Sequence, residues 1–300
     1  MESQKKVQLN TSLNAQTLQR LAKFRKFKSL VFTFLIGVMT GFAVLPLFLV
    51  FLFVIKNGFP ALNWDFFVSL PAPVGEPGGG MANALLGSLI MVGLAGAIAV
   101  PLGILIGVLL SEYPEDRFPK IVRFAVDLLI SVPSIVIGLF AYALVVVPMK
   151  SFSGWAGIAA LAIIMFPPIV KSTEEVLRLV PMSVREAGLA LGLSRWRVSI
   201  YIVLKGSRSA VATGVILALA RVAGETAPLL FTAFGNRFWP QSLSQPMPSL
   251  PVQIYSYAIS PFEEWHRQAW AGAFLLLMVV FAVNVFARLL VSRGQSGGRR

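Results

Sequence analysis

The residues that decide the fold are 181–235, PMSVREAGLALGLSRWRVSIYIVLKGSRSAVATGVILALARVAGETAPLLFTAFG. This stretch begins as a polar, basic loop and becomes an apolar span that contains two charged residues, Arg221 and Glu225. A charge within a lipid bilayer costs free energy unless it faces protein or water. Because the first half is polar and basic, we expect it to form a surface for a cytoplasmic partner. The second half is predicted to be a membrane helix whose charged residues offer a binding place for an anion.

The first half of the stretch has the features of two short helices joined by a turn. Ser183 and Glu186 have the spacing of a capping box, in which each side chain accepts a hydrogen bond from an N–H group at the helix start. Gly192 is predicted to end this helix, and Ser194 is predicted to cap the second one. Because so short an elbow is not stable alone, it must pack against another structure. Its basic residues are Arg185, Arg195 and Arg197.

The elbow resembles the cytoplasmic EAA motif of permease subunits in bacterial ABC importers. That motif reads Glu-Ala-Ala, three residues, Gly, nine residues, and then Ile-x-Leu-Pro. The matching residues are Glu186-Ala187-Gly188, Gly192 and Ile202-Val203-Leu204. The sequence departs from the motif at Gly188, where Ala is usual, and at Lys205, where Pro is usual. The resemblance implies that the elbow, with Arg195 and Arg197, docks on a separate ATPase as a coupling helix.

Four further segments resemble the PstA-type permeases of phosphate importers. They are ARVAGETAPLLFTAFGNRFW (220–239), ANALLGSL (82–89), VPSIVIGLF (132–140) and MPSLPVQIY (247–255). On these segments the chain is identified as a member of the PstA-type family, and the resemblance covers nearly all of the chain after its first apolar span. It implies the fold of a type I (MetI-like) ABC importer permease.

Composition points independently to a membrane protein. The 300 residues are 56% hydrophobic and 13% charged, with a mean hydropathy of +0.77, whereas soluble domains average about 25% charged residues. The sequence contains no Cys, which excludes disulfides and thiolate metal ligands. Its one histidine, His266, has no clustered acidic partner in an apolar span, so a metal centre is not expected.

Six apolar runs predict an all-α membrane protein with six transmembrane helices. The predicted spans are 30–55, 84–110, 124–147, 154–170, 207–234 and 269–290. The first run is too long for the apolar region of a signal peptide, so we expect it to remain as an anchor. The predicted organisation is a basic N-terminal segment (1–29), the first helix (30–55), a permease core (84–290) that includes a cytoplasmic coupling loop (171–206), and a tail (291–300).

The basic residues predict the orientation of these helices. Of the 26 Lys and Arg residues, 21 lie in the N-terminal segment, the two inner loops and the tail, or, for Arg208 and Arg288, within three residues of them. By the positive-inside rule, both termini are expected in the cytoplasm, with the chain in a bacterial inner membrane. The net charge of +13 therefore follows from topology and does not indicate binding of nucleic acid.

The charged pair in the fifth span has two interpretations. Arg221 lies thirteen residues beyond Arg208, which is about 20 Å along a helix, and Glu225 follows on the same helical face. In the simpler interpretation the two side chains neutralise each other. In the other, the planar guanidinium of Arg221 binds a phosphate oxyanion, while Glu225 orients it or accepts a hydrogen bond from protonated phosphate. The resemblance to phosphate permeases favours the second.

Weaker candidates for the substrate path are the hydroxyls of Thr226, Ser131 and Ser134, although such hydroxyls in membrane helices often bond backbone carbonyls instead. Lys171 is a candidate cationic station at the cytoplasmic exit, with snorkelling to the membrane surface as the alternative. Asp127 follows Arg123 by four residues, and a local ion pair between them is expected.

The sequence has no G-x-x-x-x-G-K-[ST] phosphate-binding loop, so we expect no hydrolysis of ATP and no bound cofactor on this chain. The resemblance implies that ATP and Mg²⁺ bind a separate PstB-type ATPase dimer. It also implies a second, PstC-type permease as heterodimer partner and an external PstS-type phosphate-binding protein, all assembled around a permease embedded in lipid.

The leading hypothesis is thus a non-catalytic permease subunit of an ATP-driven phosphate importer. One alternative is a permease for another oxyanion, such as sulfate or molybdate. An intramembrane enzyme that acts on lipid phosphates is disfavoured because the sequence shows no His–Asp or Ser–His arrangement. A passive anion channel would not need the elbow.

Overall fold

The computed structural model describes residues 2–73, 76 and 78–296, with side chains described from residue 25 to residue 289 within those ranges. The basic side chains predicted before Arg25 and after Leu289 lie outside this part. Residue contacts divide the chain into two units, Met1–Lys56 and Asn57–Arg300. The described residues are mainly helical, with an isolated β-bridge between Pro71 and Gly79.

The first apolar run lies in α1 (Glu2–Gly58), which forms the first unit. The helical segment Arg25–Ala61, which continues three residues past α1, is long and apolar enough to cross a membrane. Most large apolar side chains along it are exposed, which suits a helix that is solvated by lipid.

The second unit contains twelve further described helices. They are α2 (Trp64–Val68), α3 (Ala82–Glu112), α4 (Arg117–Ser131), α5 (Ser134–Ala141), α6 (Val147–Met149), α7 (Gly154–Arg178), α8 (Met182–Ala190), α9 (Arg195–Arg197), α10 (Arg208–Val222), α11 (Ala227–Thr232), α12 (Leu250–Ala258) and α13 (Glu263–Ser296). Two π-helical segments, Tyr142–Val146 and Val198–Leu204, connect α5 to α6 and continue α9.

Four described helical segments are long and apolar enough to span a membrane, and the number rises to six if each of two bent pairs is one span. One pair, Arg117–Ser131 with Ser134–Met149, bends by 105°; the other, Arg195–Leu204 with Arg208–Val222, bends by 76°. The predicted third span is therefore a sharply bent pair. The bend lies where the chain is extended, at Val132 and Pro133, since proline disfavours helical geometry in the residue before it.

The predicted fourth span continues well past Val170, because α7 runs through Pro167 and Pro168 to Arg178. The predicted fifth span is divided between α10 and α11, with Ala223–Thr226 between them. These two differences decide where Lys171 and Glu225 lie, since the first is inside a helix and the second is outside one.

The central helix of the second unit is α7, of whose most apolar window 67% is buried. Its most extensive contact is with α3, and two glycines spaced by four residues make this contact close. A Cβ added at Gly103 would lie 2.7 Å from Ile169 Cγ2, and one added at Gly107 would lie 2.6 Å from Thr173 Cβ. Small residues at this spacing allow the backbones of membrane helices to approach.

The valine substitution Gly107→Val is expected to destabilise the protein by about 1–3 kcal/mol, because the new side chain overpacks a close helix contact. Thermal unfolding of the purified protein in detergent measures this effect. Gly93→Val is the matched control on the same helix, since a Cβ at Gly93 meets nothing within 4 Å. Equal melting temperatures for the two variants would contradict this account of the α3–α7 contact.

A second close contact joins α5 to α11. A Cβ added at Gly138 would lie 2.6 Å from the Cα of Pro228. Gly138 and Pro228 are both buried, so the two short helices touch through their backbones. On each chain segment the contact follows an interruption of the helix, at Pro133 before α5 and at Ala223–Thr226 before α11.

Candidate functional site

A cavity of about 260 Å³ lies where the bend between α4 and α5 faces α7 and the end of α10. Its lining residues are Leu129, Ile130, Ser131, Val132, Pro133, Ser134, Ile137, Ile164, Pro167, Pro168 and Arg221. We call it the Arg221 cavity. Arg221 is its one cation among these lining residues, and the lining contains no carboxylate.

Arg221 stands in the last turn of α10 and is exposed. A cation is favoured there because the C-terminal end of a helix carries partial negative charge. In the described part of the chain, no carboxylate lies within ion-pair distance of its guanidinium. Its donors are therefore open to a ligand in the cavity.

Glu225 does not share a helical face with Arg221, contrary to the sequence prediction. The helix ends first, because α10 stops at Val222 and the chain turns at Ala223 and Gly224 before Glu225. Glu225 and Thr226 are partly buried, and neither lines the Arg221 cavity. The interpretation in which Arg221 and Glu225 neutralise each other is thus not what the structure shows.

Two serines flank the bend that forms one wall of the cavity. Ser131 donates its hydroxyl to the carbonyl of Leu128 at 2.7 Å, as expected for a helix hydroxyl. Ser134 is the first residue of α5 and also lines the cavity. The first N–H groups of a helix have no partner within it and carry partial positive charge. The cavity therefore combines a guanidinium with the N-terminus of α5, and both suit an anion.

Lys171 lies outside the Arg221 cavity and is paired. Its Nζ is 2.9 Å from Oδ1 of Asp127 on α4. The predicted ion pair between Asp127 and Arg123 is therefore wrong, because Arg123 contacts Glu174 of α7 instead. Arg123 and Asp127 lie four residues apart on α4, yet each pairs with a residue of α7 and not with the other.

The elbow is present as α8, a turn, and α9 with its π-helical continuation. Its predicted capping box is wrong: α8 is preceded by Pro181 at the N-cap position, without a side-chain cap, so Ser183 lies inside the helix. Ser194 does occupy the second N-cap position, but it caps through its carbonyl and not through its side chain.

Gly192 ends α8 as predicted. Its φ of +82° belongs to the left-handed region that favours glycine. The N–H groups of Gly192 and Leu193 donate to the carbonyls of Leu189 and Gly188, which is the hydrogen-bond pattern of a Schellman motif. This motif turns the chain from α8 into α9.

The exposed and buried faces of the elbow are distinct. Gly188 is buried, and a Cβ there would lie 2.9 Å from Val198 Cγ2 and 3.0 Å from Ile202 Cδ1. The departure from the family motif at Gly188 therefore lets the two arms pack closely. Exposed residues of the motif are Glu186, Ala187, Gly192, Arg195 and Arg197, and this face is free to meet a partner.

Buried ion pairs, which the sequence interpretation missed, fasten the elbow to the membrane helices. Arg185 is buried, donates to the carbonyl of Leu177 at 2.9 Å, and pairs with Glu112 at the end of α3. Burial lowers the pKa of the Arg185 guanidinium, which nevertheless stays protonated at neutral pH. One sequence feature could have predicted this pair. Glu112 lies at the end of an apolar run, and a carboxylate that is buried there needs a cation as partner.

A second buried carboxylate lies close by. Glu174 of α7 has 3% of its side chain exposed, and its Oε1 lies 2.8 Å from guanidinium nitrogens of both Arg123 and Arg178. Arg123 also donates to the carbonyl of Leu110. These contacts join α3, α4 and α7 at the end from which the elbow extends.

Comparison with known proteins decides the family. The sequence model of the family "Binding-protein-dependent transport system inner membrane component" matches residues 99–294. The chain belongs to this family. It is therefore a membrane component of a transport system and not an enzyme, as predicted, and the family gives no support to an enzyme that acts on lipid phosphates.

Among related family members, the phosphate transport system permease protein PstA of Yersinia pestis is 45% identical over 240 residues, which cover 80% of this chain and 81% of the relative. The PstA protein of Haemophilus influenzae is 48% identical over 237 residues, which cover 78% and 83%. The predicted membership of the PstA-type family is thereby confirmed.

The fold is also found in a solved structure. An inward-facing structure of the MetNI methionine ABC transporter matches with a TM-score of 0.59 and 17% identity, covering 71% of this chain and 95% of that one. This likeness concerns the fold alone. It confirms the predicted fold, which is all-α in the described residues and of the type I (MetI-like) kind.

Proposed function

We propose that this permease is a subunit of an ATP-driven importer that moves inorganic phosphate into the cytoplasm. The observation that carries the proposal is the guanidinium of Arg221, which lines a cavity without a carboxylate partner in the described chain. The relatives described above are phosphate transport system permeases, which supports phosphate as the substrate. Another oxyanion, such as sulfate or molybdate, is not favoured by these relatives.

The roles proposed for the substrate path begin with Arg221, whose planar fork of donors binds two phosphate oxygens. Ser134 and the first N–H groups of α5 supply further donors from the opposite wall. Glu225 and Thr226 stand just beyond the cavity, where they meet phosphate when the interruption after α10 moves. Lys171 acts at the cytoplasmic exit once its ion pair with Asp127 opens.

The energy comes from a separate PstB-type ATPase dimer that holds ATP and Mg²⁺, while this chain holds no cofactor. Glu186, Ala187, Gly188, Gly192, Arg195 and Arg197 form the coupling surface. A PstC-type permease completes the membrane unit, and a PstS-type protein delivers phosphate from outside. In this arrangement both termini lie in the cytoplasm, which agrees with the positive-inside distribution of Lys and Arg.

A cross-link at the elbow tests this arrangement. The chain has no Cys, so Gly192→Cys gives a single thiol on the exposed turn of the elbow. Linking it to the ATPase in proteoliposomes that contain the assembled importer is expected to stop ATP-driven phosphate uptake, and reducing the link is expected to restore it. Ser244→Cys, in the exposed loop after α11, is the control that should not link. Full uptake in the linked Gly192→Cys complex would contradict the proposal.

A further inference from the structure

A second cavity of about 380 Å³ lies at the other end of α11. It is formed by the chain after α11, by one side of α12 along its length and by the start of α13. The lining residues are Phe234, Gly235, Asn236, Arg237, Phe238, Pro248, Ser249, Val252, Gln253, Ser256, Tyr257 and Trp265. We call it the Arg237 pocket. Among these described lining residues there is one cation, Arg237, and no carboxylate.

Ser249 is the first sign that this pocket is built to hold a ligand. It is 1% exposed and occupies the N-cap position of α12, yet its hydroxyl makes no capping bond. Its Oγ is buried without a hydrogen-bond partner in the described structure. An unpaired buried hydroxyl costs free energy, and a ligand in the pocket would remove this cost.

Arg237 is held in place without losing its donors. Its guanidinium carbon lies 4.9 Å from the ring centre of Trp265, and such stacking leaves the N–H groups at the edge of the guanidinium plane available. No carboxylate in the described part of the chain pairs with it. Trp265 in turn stacks on Tyr257, with ring centres 4.6 Å apart.

Tyr257 supplies another donor. Burial raises the pKa of its phenol, against the opposing effects of Gln253 and Arg237, so the group is protonated at neutral pH. Its oxygen accepts a hydrogen bond from the amide of Gln253 at 3.3 Å. The phenolic proton therefore remains for a ligand.

The chain that carries Arg237 into the pocket has a constrained backbone. Phe234 has a φ of +63°, which is unusual for a residue other than glycine, and Gly235 follows with a φ of +110°. Strained backbone of this kind persists where the surrounding structure holds it, and it is concentrated at functional sites.

From these contacts we infer that the Arg237 pocket is an oxyanion-binding site on the external side, where inorganic phosphate stops before it reaches the Arg221 cavity. Arg237, Ser249 and Tyr257 provide donors, and the pocket provides no carboxylate to repel the anion. The external placement and the choice of phosphate rest on the proposed function.

The experiment measures binding of radiolabelled inorganic phosphate to the purified importer complex without its external binding protein. Arg221→Gln is introduced first, so that the Arg221 cavity does not contribute. In this background, Arg237→Gln is expected to weaken phosphate binding by tenfold or more, because hydrogen bonds to a charged group are lost. Tyr257→Phe keeps the ring stacking and removes the hydroxyl alone, so a loss of about tenfold is expected for it.

The control is Arg267→Gln, which removes an exposed cation that already pairs with Glu264 and should leave binding unchanged. Unchanged phosphate binding in both Arg237→Gln and Tyr257→Phe overturns the inference. The inference is also overturned if these variants bind phosphate normally but no longer bind the external binding protein. In that case the pocket would receive an acidic side chain of that protein. If Arg221 does not bind phosphate but the Arg237 pocket does, the Arg221→Gln importer takes up phosphate normally, and Arg237→Gln still weakens phosphate binding.

Discussion

Replacing Arg221 with glutamine is expected to reduce phosphate uptake by about 100-fold or more while leaving assembly of the importer intact. The reason is the loss of at least two charge-assisted hydrogen bonds to the anion, each contributing about 1.5–3 kcal/mol. Because Arg221 has no carboxylate partner in the described chain, its removal leaves no buried charge unpaired. Stability should therefore change little, and loss of uptake would report on binding.

Uptake of radiolabelled phosphate into proteoliposomes measures the effect, and melting temperature checks the fold. Arg208→Gln is the matched control, since it removes a cation from the first turn of the same helix, outside the Arg221 cavity. Arg221→Lys keeps the charge but not the planar fork, and an intermediate loss is expected. Normal uptake in a well-assembled Arg221→Gln variant would refute the proposed role of Arg221.

The second large effect is expected at Arg185, where methionine keeps much of the side-chain volume but removes the cation. The carboxylate of Glu112, with 16% of its side chain exposed, then lacks its partner. Leaving a buried charge unpaired costs about 3–5 kcal/mol, and this cost falls on the attachment of the elbow to α3. We expect loss of uptake together with protease cleavage within residues 182–206.

The double variant Arg185→Met with Glu112→Met tests whether the unpaired charge of Glu112 is what weakens the attachment of the elbow. It removes both ions, so protection of the elbow against protease should largely return. Lys205→Met is the control, because it neutralises an exposed cation of the same region. If the single Arg185→Met variant retains both uptake and protection, the ion pair does not hold the elbow.

Much of the fold could be predicted from the sequence because apolar length is a direct signal. The runs in α3, α7 and α13 exceed what a membrane requires. The effect of each proline on its helix could not be predicted. The chain bends sharply at Pro133, whereas continuous helices contain Pro101, Pro167 and Pro168. Neighbouring helices can satisfy the backbone groups that a proline leaves without a hydrogen bond. A single sequence does not show at which prolines they do so.

The site was predicted in part for a similar reason. Arg221 could be identified because an isolated charge in an apolar run is costly. Its relation to Glu225 could not be predicted, because the sequence pattern predicts a helix that continues past Val222, where α10 ends. The partners of Arg123 and Arg185 are Glu174 and Glu112 on other helices. Such pairs depend on tertiary packing, which local spacing does not encode.

The contact between Gly138 and Pro228 has a consequence for how the importer changes shape. With backbone against backbone, α5 and α11 have no compressible side-chain layer between them at this point. We expect the two helices to move together, so that the flexing needed to admit or release an ion occurs at Pro133 and at Ala223–Thr226. Access to Arg221 would then depend on coordinated motion at both places.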